Sequence, residues 1–109
     1  MRARDLRASQ ARAMPEAELS ENVRQLCQAL GLLAYHTHNS KFSASGFPDW
    51  CCLGRDRVMW RELKTEKGKT TAAQGEWLRQ LAAIGEDAAV WRPSDLLSGR
   101  IARELTDLA

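Results

Sequence analysis

The sequence lacks the features that mark a secreted, membrane-spanning or disulfide-stapled protein. Its cysteines, Cys27, Cys51 and Cys52, are odd in number. The adjacent pair would point to opposite sides of a strand, so no disulfide framework is implied, and a reducing cytoplasm fits. No apolar run approaches the roughly 20 residues that a membrane helix requires, and the N-terminus has no apolar stretch of signal-peptide type. Zinc held by the three cysteines with His36 and His38 has no recognised ligand spacing behind it. There are no repeats, and no low-complexity segment beyond an Ala- and Arg-rich start. Net charge is only +2, which makes the field of the whole molecule a weak argument for a nucleic-acid partner.

What is present suits one soluble globular domain: 109 residues, 44% apolar and 28% charged. The charge is unevenly spread. Arg2, Arg4, Arg7 and Arg12 face only Asp5 within the first stretch, and Lys64, Lys67 and Lys69 form a second cluster. Arginine and lysine near a duplex neutralise phosphates and release counterions, so these cations are candidate DNA contacts. Residues 1–13 read as a basic arm, either a loose helix or disordered, ahead of a single domain over 14–109; the plainer alternative to a DNA contact is a solvated, partly disordered arm.

Helix and strand signals alternate along that domain. Pro15 suits a first helical turn. Leu19, Val23, Leu26, Cys27 and Leu30 then recur at helical spacing, and Gly31 is a natural stop. At about 100° per residue, Glu16 falls inside this apolar stripe, whereas Glu18 and Glu21 fall near the opposite side. An acid on a buried face is costly unless paired or bound to a metal, which singles out Glu16. The alternative is a frayed first turn where it merely favours the positive helix end. Leu32 to His38 reads as a strand. Residues 39–47 read as a polar loop, with Lys41 and Phe42 as candidates for phosphate and for sugar or base contact.

Further on, Glu66-Lys67-Gly68-Lys69 reads as a turn, and Thr71 with Gln74 matches a capping box. The helix it opens carries Trp77, Leu78, Leu81 and Ile84 and ends at Gly85. Ala88 to Trp91 reads as a strand stopped by Pro93. Ser94 reads as the cap of a last helix with Leu97, Ile101, Leu105 and Leu108 on one stripe. With the two strands described next, the order is α-β-β-β-α-β-α, an α/β arrangement around a mixed sheet flanked by helices.

The stretch from Gly46 to Thr65 carries the chemistry. Two short apolar runs flank Gly54-Arg55-Asp56-Arg57, as two strands and a tight turn would. If Arg55 and Asp56 form the loop, Gly54 faces Arg57 and Asp49 faces Glu62. Opposed residues share a side of the sheet, about 5 Å apart at Cβ. Lys64 points to that side too. Both faces of the hairpin are apolar: Cys51, Leu53, Val58 and Trp60 beside Asp49, and Trp50, Cys52, Met59 and Leu63 opposite, so helices are expected on both. Two facing carboxylates repel, and a hard divalent cation such as Mg²⁺ gives the pairing a reason. The bland reading is a strand start at Pro48-Asp49 and a solvated face at Glu62-Leu63-Lys64.

Pro48-Asp49 followed by Glu62-Leu63-Lys64 resembles the PD-(D/E)XK nuclease signature. With Gly46-Phe47 before it, Gly68-Lys69 after it, and Ala73-Gln74 and Trp77-Leu78 beyond, the pattern resembles a VRR-NUC domain over roughly residues 15–97. Such domains occur alone in phages and bacteria and at the C-terminus of the Fanconi-associated nuclease. The resemblance implies a restriction-endonuclease-like core and metal-dependent hydrolysis of DNA. It implies Mg²⁺ or Mn²⁺ on Asp49, Glu62 and the backbone carbonyl of Leu63, with a glutamate from the first helix, for which Glu16 has the matching place. Lys64 would act on the water or the phosphate, and Gln74 would steady the site. Standalone members resemble Holliday-junction resolvases acting as homodimers on branched DNA. An inactive DNA-binding module on the same fold is the alternative.

Overall fold

The computed structural model describes residues 2–37 and 44–109. Their elements are α1 (Ala3–Ala13), α2 (Glu16–Ala29), β1 (Leu33–His36), β2 (Trp50–Leu53), β3 (Val58–Leu63), α3 (Ala72–Ala83), β4 (Asp87–Trp91), α4 (Pro93–Leu97) and α5 (Arg100–Leu108). The strands form one mixed sheet in the order β1-β2-β3-β4. The first three run antiparallel and β4 joins β3 in parallel after the α3 crossover. The chain is thus an α/β fold with a four-stranded mixed sheet flanked by helices.

Alternation along the hairpin decides which face is dry. Trp50, Cys52, Met59 and Leu63 are buried on one side, where they cluster with Leu19, Val23 and Cys27 of α2 and with Ile101, Leu105 and Leu108 of α5. Each large apolar side chain taken out of water there contributes about 1.5–3 kcal/mol. The opposite face is covered only in part. α3 packs on β4, while Leu33 and Tyr35 at the β1 edge stay 73% and 66% exposed. Helices therefore lie on both faces as expected, but the second cover does not reach β1. No helix among the described residues is long and apolar enough to cross a membrane.

The element order differs from the expected one at both ends. Of the two readings of the arm, helix or disordered, residues 3–13 take the helix, and Ala11 is buried where α1 packs on α4. The last helix is two helices. Gly99 takes φ +85, in the left-handed region that breaks a helix, and α5 restarts after it. Ser94 does not cap α4. Asp95 Oδ2 accepts the Arg92 N–H at 2.8 Å, and the Ser94 N–H is taken by Glu66 Oε1 at 3.0 Å. The first strand is shorter than Leu32 to His38, and His38 lies outside the described residues.

Candidate active site

The hairpin register brings the acids together. Gly54 N–H donates to the Arg57 carbonyl at 2.9 Å, and the ladder runs from Leu53↔Val58 to Trp50↔Arg61. The ladder ends there, and the same register continued one step sets Asp49 against Glu62, to which it is hydrogen-bonded. Asp49 is fixed from both sides. Its Oδ2 accepts the Leu63 N–H at 2.7 Å, and its carbonyl accepts the Thr37 N–H at 2.9 Å. Pro48 is buried, and its carbonyl accepts the Thr37 hydroxyl at 3.3 Å.

The loop before Asp49 is anchored by close approach and by aromatic rings. Gly46 has φ +83, and a Cβ there would stand 2.4 Å from the Ala73 carbonyl carbon and 2.6 Å from the Gln74 nitrogen. Only glycine lets this loop touch the start of α3. Phe47 meets Trp60 and Trp77 edge-on, with centroids 5.9 and 5.2 Å apart. The Trp77 indole N–H donates to the Ser45 carbonyl at 3.0 Å. The glycine of the Gly46-Phe47-Pro48-Asp49 run thus sets the distance between Asp49 and α3.

Glu62 is the centre of the site. It is 2% exposed. Its Oε2 accepts the Gln74 side-chain amide at 3.1 Å and lies 3.9 Å from Lys64 Nζ. Its Oε1 is buried and accepts no N–H among the described residues. Burial, and then a hydrogen bond to the Asp49 carboxylate and the charge of that group, raise its pKa from 4.5 to about 8. Lys64 pulls the other way, and Glu16 adds a smaller upward push. Gln74 serves two ends at once. Its Oε1 accepts the Thr71 N–H at 2.8 Å, closing the capping box, while its Nε2 reaches Glu62. The capping and site roles are therefore not alternatives.

Glu16, the first residue of α2, lies within electrostatic reach of the same group. Its pKa is raised by partial burial and by Asp49, and lowered by Lys64. It remains exposed rather than buried, because at the first turn the stripe runs past the end of the core. Glu21 pairs with Arg24 at 2.6 Å on the solvent side. Lys67 and Lys69 are exposed on the turn after Lys64, and Arg2, Arg4, Arg7 and Arg12 are exposed on and just before α1. Lys41 and Phe42 lie outside the described residues. The zinc set does not assemble among those residues. Cys27 and Cys52 face each other in the core with sulfurs 3.9 Å apart, Cys51 lies on the other face, and His36 stacks on Trp50 at 4.7 Å.

The donor chemistry fits a hard divalent cation. Carboxylate oxygens suit Mg²⁺, and Glu62, with its pKa raised to about 8, must give up a proton to offer both of its own. No group of three or more His, Cys, Asp or Glu side chains converges tightly enough for a metal among the described residues. The side-chain donors are therefore a pair, Asp49 and Glu62, with Glu16 standing off.

Arg92 is a positioning residue that sequence reasoning missed. Its Nη1 donates to the carbonyls of Thr65 at 2.7 Å, Glu66 at 3.2 Å and Gly68 at 2.6 Å, clamping the turn beyond Lys64. An arginine before a proline reads only as the end of a strand, so no signal pointed to it. Comparison with family models, curated proteins and solved structures finds no match to this chain.

Proposed function

We propose that the chain is a metal-dependent deoxyribonuclease of VRR-NUC type, built on a restriction-endonuclease-like core and hydrolysing phosphodiester bonds. The observation that carries this reading is the pair Asp49–Glu62, the first half-buried and the second buried, hydrogen-bonded to each other beside Lys64. Two acids held this close repel when both are ionised, which a bound cation would relieve.

Asp49, Glu62 and the Leu63 carbonyl would hold Mg²⁺ or Mn²⁺, with Glu16 contributing from α2. When bound, such an ion supplies a Lewis acid for the phosphoryl group and makes water nucleophilic near neutral pH. Glu62 gives up its proton to join that set, and Gln74 Nε2 holds its carboxylate in the ionised orientation. Lys64 places its ammonium where negative charge grows on the phosphate, or holds the attacking water. The family resemblance extends the proposal to branched DNA, four-way junctions foremost, cut by a homodimer in the cytoplasm of a bacterium or phage-infected host.

A second reading is a DNA-binding module with a decayed site. The absence of a tight three-acid cluster among the described residues favours it, and the intact Asp49, Glu62 and Lys64 oppose it. A cleavage assay with Mg²⁺ and with Mn²⁺ on linear, nicked, flapped and four-way DNA separates the two. Asp49→Ala and Glu62→Ala should abolish cutting with the fold intact, and Lys64→Ala should cost at least about a hundredfold. Full activity in either acid variant sinks the proposal, and binding without cleavage on every substrate supports the decayed module.

A further inference from the structure

A concavity of about 540 Å³ lies between α1 and α4. From α1 it is lined by Arg4, Arg7 and Arg12, with Ala8 and Ala11 on the same stripe. The alanines are small enough for α1 to sit close to α4, and the arginines rise from that contact. Lys67 lines it from the turn after Lys64. None of the four cations has an ion pair or side-chain hydrogen bond among the described residues. Glu66, the one acid lining the groove, already accepts the Ser94 N–H.

Four cations around one groove against the single acid Glu66 leave a net positive lining, and a polyanion relieves the repulsion among them. The lining has no aromatic side chain and only Leu97 as a bulky apolar one, so it lacks what an interfacial membrane anchor uses. Arg4 and Arg12 stand about 12 Å apart along the helix at about 1.5 Å per residue. That spans about three to four phosphates of one strand at about 3.4 Å each. Lys67 is within about 10 Å of Lys64 by chain length alone, and Arg92 fixes the turn between them.

We propose that this groove grips the sugar-phosphate backbone of the DNA whose scissile phosphate meets Asp49 and Glu62, a few nucleotides away from the cut. The substrate class rests on the nuclease reading, but the grip needs no chemistry. The test is anisotropy of a labelled DNA duplex titrated with the full chain in EDTA across a KCl series. Arg4→Gln, Arg7→Gln and Lys67→Gln are measured singly and combined, with circular dichroism confirming the fold. Each lost phosphate contact should lower the slope of log affinity against log salt by about 0.9, so the triple variant should flatten it by about 2–3. Arg79→Gln, which removes an α3 cation paired with Glu76, should leave the slope unchanged. A triple variant with the unmodified slope overturns the proposal. So does groove-dependent binding of phosphatidylserine vesicles by a chain that does not bind DNA. Without metal the assay is blind to cleavage, so a failed Asp49–Glu62 assignment leaves its result standing, and an unchanged slope in a chain that still cuts removes the groove alone.

Discussion

Glu62 is an acid that the fold keeps dry, and its titration follows from that. Its folded pKa, about 8, lies above the ordinary 4.5 because burial and the Asp49 carboxylate both disfavour the charge. The folded state therefore binds more protons than the unfolded chain across that interval. Stability from this group is full below about pH 4.5 and falls as pH rises to about 8, after which the loss, on the order of a few kcal/mol, is constant. Glu62→Gln keeps the shape and a partner for Gln74 but cannot ionise. In EDTA its melting temperature should match the parent near pH 4.5 and exceed it increasingly towards pH 8, by roughly 4–8 °C for each kcal/mol removed. Mg²⁺ should narrow the gap at the alkaline end, since it binds the ionised parent and not the amide. Parallel melting curves for parent and variant across the pH range would show that Glu62 is hydrated and the site open.

At the level of elements, α3 is tied to the site by one side chain with two partners. Thr71→Ala and Gln74→Ala each remove half of the capping box, costing about 1 kcal/mol. Only Gln74→Ala also strips the donor from Glu62, and losing such an outer partner costs about 10–100-fold in metal affinity or activity. Chemical denaturation should thus show Gln74→Ala less stable than Thr71→Ala by about 1–3 kcal/mol, and single-turnover cleavage should separate them as well; equal cleavage by both would reduce Gln74 to a cap. This hairpin and its neighbours were legible because their signals are local. The Arg55-Asp56 loop fixes the register, the register fixes Asp49 against Glu62, and Thr71-x-x-Gln74 opens α3. Gly46 was legible as part of a motif, but its reason, the backbone of Ala73 and Gln74 pressed against it, is tertiary. The split at Gly99 and the capping by Asp95 were not legible, because an unbroken apolar stripe runs through both helices. Nor was Arg92, whose partners lie more than twenty residues earlier in the chain.

Across the whole molecule, the interior uses up a surface that sequence pattern alone left open to a partner. An apolar stripe such as Leu97, Ile101, Leu105 and Leu108 can serve as a dimer contact or pack on its own sheet. Ile101 and Leu105 are 0% exposed and Leu108 1%, in one cluster with Trp91, Met59 and Leu19, whereas Leu97 on α4 lies outside it and Leu96 packs on the core instead. Periodicity marks such a stripe as apolar but does not say whose surface covers it. An ionic network beside it strengthens the inward assignment. Arg61 is buried and meets Asp87 at 2.9 Å and Glu104 at 3.1 Å, and Glu104 also accepts the Trp91 indole N–H at 2.8 Å. Ile101, Leu105 and Leu108 are therefore not available as a homodimer contact. Ile101→Val removes one methylene from this cluster and should cost about 0.5–1.5 kcal/mol of stability, with the association state unchanged in light scattering at micromolar concentration, with and without DNA. A chain that goes from dimer to monomer on this substitution, while its denaturation midpoint stays put, would return α5 to the interface and contradict the burial of Ile101.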